Sequence, residues 1–335
     1  MNFKQPEPRI LTLVALYSQL MTDALPPRLE HNRTLATEFF EENPVPRYLR
    51  VTDQLPTVAF DKGKLFPNGY NASILEYKGE LLMAYRYPRQ DIMATHLALA
   101  VFDLNGACLS NRTLLEGATG TLDDPRLFMR GGVPWVCWID STYPAEKVIC
   151  VVKYAPLENL AAAQQVRPPI PGEIEKNHLP LVLPDGMYFI YRSYPEQIVL
   201  KETPSGPFQA VASNGFRWPW GEPRGGTPPL PYEGKLLRFF HSSRDSEPKP
   251  YFRRYFVGAA IMNSTPPYET IAVSKRPIVY GSEDSTQEQR ESPHYKAQVV
   301  FPGGLVHRKD HWVLSVGLND SSIALLKVTQ NDLHL

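Results

Sequence analysis

The stretch Asp123-Asp124-Pro125-Arg126 carries the residue types from which acid catalysis is built. Cleaving a glycosidic bond requires a carboxylic acid that protonates the departing oxygen, because an alkoxide is a poor leaving group. Asp124 suits that role, since Pro125 fixes the backbone beside it and Arg126 can orient or tune a carboxylate. Read alone, the two aspartates serve equally well as turn caps ahead of a strand. A second set of residues favours chemistry. Arg86, Lys176, Arg192 and His241 recur at corresponding places along the chain, and four such cations describe a shared anion site better than four unrelated charges. Taken singly, Arg86 and Arg192 are ordinary ion-pairing residues at strand ends. His241 is then a satisfied core histidine after Phe239-Phe240, and Lys176 a solvated neighbour of Glu175.

The correspondence comes from a unit that recurs five times: a polar residue, a short apolar strand, a tight turn, and a second apolar strand with a polar end. Asn71 leads into Ile74-Leu75-Glu76-Tyr77, the Lys78-Gly79 turn, and residues 81–85 ending on Arg86. Asp123-Asp124-Pro125-Arg126 leads into Leu127-Phe128-Met129, the Gly131-Gly132 turn, and residues 133–139 closed by Asp140. Glu175-Lys176-Asn177 opens the third unit, which turns at Pro184-Asp185-Gly186 and ends on Arg192. Gly225-Gly226-Thr227 opens the fourth, which turns at Glu233-Gly234 and ends at His241. Val300-Phe301-Pro302 opens the fifth, which turns at Lys309-Asp310 and runs on to Asn319-Asp320. Paired short strands repeating every roughly 50 residues are the signature of propeller blades. The predicted fold is therefore all-β, a five-bladed β-propeller over residues 57–335 with a short helical N-terminal extension over residues 1–56. Equivalent blade positions converge on one funnel, which gathers Asn71, Asp124, Lys176, Thr227 and Phe301.

Other segments carry plainer expectations. In the extension, Pro26-Pro27 separates the helical spacing of Leu11, Leu13, Leu16 and Leu20 from that of Leu35, Phe39 and Phe40. Its simple role is to close a blade; its livelier one is a contact between copies in a homo-oligomer. Residues 157–165 are predicted as a short helix. Residues 282–293, rich in Glu, Gln and Ser, read as a mobile surface loop, either inert or a lid over the funnel.

Lys plus Arg and Asp plus Glu each number 35, so the formal charge is zero and no global field draws the chain to nucleic acid or an anionic membrane. Any anion site is local. No apolar stretch is long enough to span a membrane, and 33 prolines suit turns and strand edges rather than helices. Cys108, Cys137 and Cys150 are odd in number and lack ligand spacing, which indicates neither a disulfide framework nor a zinc site. Residues 10–16 follow Pro6-Glu7-Pro8 and make a poor signal peptide, so the expected location is cytoplasmic. Phosphate-cradling glycine loops, nucleophile elbows and His/Glu metal spacings are missing, and neither metal nor cofactor is expected.

The ordered set Asn71 with Arg86, Asp123-Asp124-Pro125-Arg126, Lys176, Gly225-Gly226-Thr227-Pro228-Pro229, His241, Tyr255-Phe256-Val257-Gly258-Ala259 and Phe301-Pro302-Gly303 resembles glycoside hydrolase family 130. That family holds the β-mannoside phosphorylases and related hydrolases on a five-bladed propeller, and the resemblance runs from Asn68 to Leu326. It implies that Asp124 is the general acid of an inverting reaction, its proton reaching the glycosidic oxygen through a hydroxyl of the adjacent sugar. It further implies that Arg86, Lys176, Arg192 and His241 surround inorganic phosphate. Asn71, Asp123, Arg126, Thr227 and Asp320 are the expected sugar contacts. Departures mark a divergent branch: Asp123 stands where Tyr or Glu is usual, Gly225-Gly226-Thr227-Pro228-Pro229-Leu230 where a Gly-Ala-Gly-Pro-Pro-Pro-like loop is usual, and His241-Ser242 where a His-Gly pair is usual.

The resemblance leaves several uses of one funnel open. These are phosphorolysis of β-mannosides, transfer from a phosphate-containing sugar donor, hydrolysis with Glu175, Glu222 or Asp320 as base, and glycan or protein binding without catalysis. The expected partner is a small carbohydrate, with inorganic phosphate or a sugar phosphate as substrate. Tyr70, Tyr87, Trp218, Trp220 and Tyr232 are candidates for stacking on sugar faces.

Overall fold

The structure, a computed structural model, describes residues 55–88, 94–117, 120–142, 149–166, 176–204, 208–246, 252–282, 285–292 and 294–335. These form five antiparallel sheets in chain order, the blades of a five-bladed propeller. Blade 1 holds β1 (Tyr70–Tyr77), β2 (Glu80–Pro88), β3 (Thr95–Phe102) and β4 (Cys108–Leu115); blade 2 holds β5 (Gly120–Arg130), β6 (Val133–Thr142), β7 (Ile149–Pro156) and β8 (Gln164–Gln165). Blade 3 comprises β9 (Leu179–Leu183), β10 (Gly186–Arg192), β11 (Glu196–Lys201) and β12 (Gln209–Asn214). Blade 4 is built from β13 (Arg224–Gly226), β14 (Leu230–Tyr232), β15 (Lys235–Ser246), β16 (Phe252–Met262), β17 (Thr270–Val273) and β18 (Val279–Tyr280). Blade 5 has β19 (Val300–Arg308), β20 (His311–Leu318) and β21 (Ser322–Val328).

Several hairpins turn through two consecutive residues at positive φ, as at Lys78-Gly79, Gly131-Gly132, Glu233-Gly234 and Asn319-Asp320. Such turns match the twist of the strands they join and fix the register. An apolar core fills each junction between neighbouring blades: Leu99 with Leu127, Phe128 with Phe189, Tyr188 with Met262, Phe239 with Leu314, and Val313 with Met83. The last junction closes the ring. Residues from the other end of the chain complete the fifth blade, because Thr57 pairs with Leu326, Val58 N–H donates to Leu325 O at 2.7 Å, and Lys327 N–H donates to Pro56 O at 2.7 Å. Leu55, 5% exposed, packs into the core between blades 4 and 5. The segment beside the proposed boundary at residue 56 thus closes the blade through an isolated β-bridge. The helices expected farther upstream, and the contact between copies assigned to them, lie outside the described residues.

One local expectation is corrected and another is refined. Residues 157–165 are not a helix; a single 3-10 turn, Leu160–Ala162, precedes β8, because blade 2 needs an outer strand to pair with Lys153 and Tyr154. The insert before blade 5 contains one turn of α-helix, α1 (Gln287–Arg290), capped reciprocally by Thr286 and Gln289. Among the described residues no helix is long and apolar enough to cross a membrane.

Candidate active site

Four innermost strands carry a bulge at the same point: between Tyr70 and Ser73, Asp123 and Arg126, Arg224 and Gly226, and Pro302 and Gly304. A bulge leaves one residue out of the ladder and re-aims it. In blades 1 and 2 the re-aimed residues are Asn71 at φ 50° and Asp124 at φ 43°, a left-handed backbone that Asn and Asp tolerate better than most residues. Blades 4 and 5 place Gly225 and Gly303 there, where a Cβ would collide with Asn177 O and Ala72 O respectively. Asn71 and Asp124 are therefore equivalent, as expected, but Thr227 is not their counterpart. It lies two residues deeper, fully buried, and its hydroxyl accepts the Phe239 N–H at 3.0 Å. Phe301 is likewise out of register; its ring lies against the Arg126 guanidinium, 4.9 Å away, and the His241 ring, 4.7 Å away.

The two aspartates have different surroundings. Asp123 is bound on both oxygens: Oδ1 accepts from Arg86 Nη1 at 2.6 Å and from Thr95 Oγ1 at 3.4 Å, and Oδ2 accepts from Thr121 Oγ1 at 3.3 Å. It holds Arg86, which lies over the Tyr70 ring at 4.2 Å. Asp124 Oδ1 accepts from Asn71 Nδ2 at 2.9 Å and lies 3.4 Å from Arg86 Nη1. No described residue hydrogen-bonds its Oδ2, and the side chain is 14% exposed. Burial pushes the Asp124 carboxyl up, but Arg86, Arg126 and the Asn71 amide outweigh it, and the net displacement is downward. The carboxyl is therefore ionised in the ligand-free protein.

Arg126, expected as a sugar contact, is 2% exposed and reaches from blade 2 to blade 4. Its Nε donates to Gly226 O at 2.6 Å, and its Nη1 donates to Asp124 O at 3.0 Å and Pro125 O at 3.1 Å. These bonds fasten the bulge that presents Asp124, which makes Arg126 a positioning residue. His241 donates from Nδ1 to Gly225 O at 2.5 Å, and burial pulls its pKa down to about 4. The histidine expected as a phosphate-binding cation is thus neutral at ordinary pH, with its remaining ring nitrogen an acceptor.

Lys176 is half-buried and precedes Asn177, whose carbonyl lies against Gly225 at the junction of blades 3 and 4. Arg192 ends β10, with its Nη2 3.5 Å from Glu196 Oε2. Arg224, opposite His241 in the β13–β15 pair, adds a cation that the sequence did not single out. Asp320, at the tip of the β20–β21 hairpin, is 6% exposed and lies 3.3 Å from Lys296 Nζ. Its charge acts on Tyr70, Arg86 and Tyr255, which brings it to the same mouth. The candidates divide by blade: Asn71, Asp123, Asp124 and Asp320 come from blades 1, 2 and 5, whereas Lys176, Arg192, Arg224 and His241 come from blades 3 and 4. Arg86 and Arg126 lie among the carboxylates.

Of the candidate stacking residues, only Tyr70 is in this cluster. Trp218 and Trp220 are buried in blade 4 against Phe240 and Phe256; Tyr87 packs on Phe66, and Tyr232 on Trp312. Their apolar area is used in packing. Glu222 is 52% exposed beside Arg224, and Glu175 lies outside the described residues. No cluster of three or more metal-ligating side chains occurs among the described residues.

No protein-family model matches the sequence, and no curated protein does. Solved structures do match. A β-1,2-mannobiose phosphorylase from Listeria innocua, in complex with β-1,2-mannobiose, aligns with a TM-score of 0.60 at 16% identity, covering 85% of this chain and 97% of that one. A mannose phosphorylase from Leishmania mexicana, in complex with a phosphate ion, aligns with a TM-score of 0.52 at 13% identity, over 90% of this chain and 93% of that one. A glycosyl hydrolase from Bacteroides ovatus aligns with a TM-score of 0.54 at 13% identity, over 86% and 96%. The structural neighbours are thus mannoside phosphorylases and glycoside hydrolases, including members of family 130. At these identities the likeness is one of fold.

Proposed function

We propose that this protein is a divergent family-130 enzyme that moves a β-linked mannosyl or similar hexosyl unit between a glycosidic oxygen and phosphate. The observation that carries the proposal is Asp124, held through Oδ1 on a left-handed bulge by Asn71 and Arg86 while Oδ2 has no described partner. In phosphorolysis, a phosphate oxygen attacks the anomeric carbon opposite the leaving group and the glycosidic C–O bond breaks. The proton of Asp124 passes to the departing oxygen through a sugar hydroxyl, and the products are an α-sugar 1-phosphate and a free alcohol. Phosphate is then a substrate, and no cofactor takes part.

The division of charge orients this reaction. A polyol fits among the carboxylates of blades 1, 2 and 5, and phosphate fits against Lys176, Arg192 and Arg224, with His241 accepting a hydrogen from the monoanion. The negative charge of phosphate bound at this mouth raises the proton affinity of Asp124 and arms it as an acid. Complexes of similarly folded proteins with β-1,2-mannobiose and with phosphate support the assignment of ligand classes. Free thiols at Cys108, Cys137 and Cys150 suit the cytoplasm.

Hydrolysis is the second reading, favoured by Asp320, a buried carboxylate at the same mouth but on another blade from Asp124. Incubation with β-mannosyl disaccharides, with and without inorganic phosphate, separates the two. Phosphate-dependent mannose 1-phosphate establishes phosphorolysis; free mannose in both conditions assigns water as nucleophile and makes Asp320→Asn the next variant to assay for the base. Neither product from these or from nucleotide-sugar donors overturns the catalytic reading and leaves a glycan-binding propeller.

A further inference from the structure

The insert between blades 4 and 5 is tied to the mouth at Ser285 and Lys296. Asn319 Nδ2 donates to Ser285 Oγ at 2.8 Å, Lys296 N–H donates to Asn319 O at 3.0 Å, and Lys296 Nζ lies 3.3 Å from Asp320 Oδ2. Between these anchors the chain carries His294 to the Tyr70 ring, with centroids 6.1 Å apart and planes inclined at 32°. Tyr70 is completely buried, yet its hydroxyl has no hydrogen-bond partner among the described residues; His294 Nε2 is also buried without one. Burying a hydroxyl unpaired is unfavourable, and a purely structural position would be better filled by phenylalanine. Two such atoms on neighbouring rings, beside Asp124 and Asp320, mark a place where a ligand completes the bonding.

The surroundings select the ligand's chemistry. The charges of Asp123 and Asp320 act on both Tyr70 and His294, and the cations nearby are already engaged, Arg86 by Asp123 and Lys296 by Asp320. Carboxylates repel phosphate but accept hydrogen bonds from sugar hydroxyls, and phenol and imidazole groups can bond to the remaining hydroxyls. We propose that Tyr70 and His294 line the sugar subsite, and that both residues discriminate the sugar through hydrogen bonds to its hydroxyl groups. This inference rests on the carbohydrate reading above.

The test is calorimetric titration of the full chain, Tyr70→Phe and His294→Ala with a β-mannosyl disaccharide and, separately, with inorganic phosphate. Tyr70→Phe breaks no hydrogen bond within the described protein, so its ligand-free Tm should equal or exceed that of the unmodified chain. Its phosphate affinity should stay within about twofold, while disaccharide affinity should fall about tenfold or more. His294→Ala should show the same selective loss. Unchanged disaccharide binding in both variants, or a Tm lowered by several degrees in Tyr70→Phe, overturns the subsite alone. An unmodified protein that binds phosphate but no β-mannosyl, glucosyl or galactosyl disaccharide overturns the carbohydrate reading, and the subsite with it.

Discussion

Replacing Arg86 by methionine tests the electrostatic frame of the mouth directly. The guanidinium lies 2.6 Å from Asp123 Oδ1 and 3.4 Å from Asp124 Oδ1, with all three side chains 14% exposed or less. At an effective dielectric near 20, unit charges about 3.4 Å apart attract by about 5 kcal/mol, much of it offset by desolvation. Removing one member leaves its partners buried and uncompensated, and the expected loss of unfolding free energy at pH 7.5 is about 3–5 kcal/mol. The sign of the pH dependence is distinctive. Without Arg86, desolvation, the largest influence on Asp124, is expected to prevail and raise its folded-state pKa, so the native variant binds more protons than its unfolded chain above pH ~4 and gains stability on acidification. In the unmodified protein Asp124 is depressed instead, and acidification gives no such gain. Urea unfolding followed by tryptophan fluorescence should therefore show the gap between the two proteins narrowing by more than about 1 kcal/mol between pH 7.5 and pH 5. An equal gap at both pH values would refute the account, because the loss would then be one of packing on Tyr70 and not of charge.

Other outcomes follow from the same contacts. Asp124→Asn should lower turnover at least about 100-fold while circular dichroism still reports a folded propeller; retained turnover would remove Asp124 from the chemistry. A Cβ at Gly317 would collide with Asn71 Oδ1, so Gly317→Ala should displace the amide that holds Asp124 and reduce kcat by roughly tenfold or more, measured under saturating sugar and phosphate. His178 and His241 are kept neutral by burial, with pKa values pulled down to about 3 and about 4. The stability they support is present above pH ~6.5 and is lost as pH falls toward 4, by up to about 1.4 kcal/mol per pH unit for each histidine. Denaturation across that range should give a shallower slope for His178→Phe. Leu55→Ala, on the segment that closes blade 5, should cost about 2–4 kcal/mol, read as a lowered denaturation midpoint.

The five repeated hairpins were legible because each unit encodes its own strand pattern and turn, and both are local properties. Asn71 and Asp124 stood out for the same reason, at equal offsets from their strands. What failed in the sequence depended on register or on distant partners. The counterpart of Asn71 and Asp124 is Gly225, two residues before the position assigned to Thr227, and only the bulges of the folded sheets fix that register. His241 looks like a cation until its burial against Gly225 O is known. Arg126 looks like a ligand contact until its Nε is traced across the propeller to Gly226 O, 100 residues away along the chain.

Trp218 and Trp220 have the types suited to sugar stacking, yet the blade 4 core takes them both. His294 carried no local signal, since only folding brings the end of an insert to a tyrosine from the first blade. By itself the sequence determined the blade count, the turns and the aspartate pair in the strand that opens the second blade, because hydrophobic period and turn chemistry act over a few residues. The tertiary structure decided which aspartate grips Arg86 and which presents an oxygen without a described partner. It also decided which cations remain charged and which polar atoms converge on the mouth, because burial and Coulomb interaction depend on distance in space rather than along the chain.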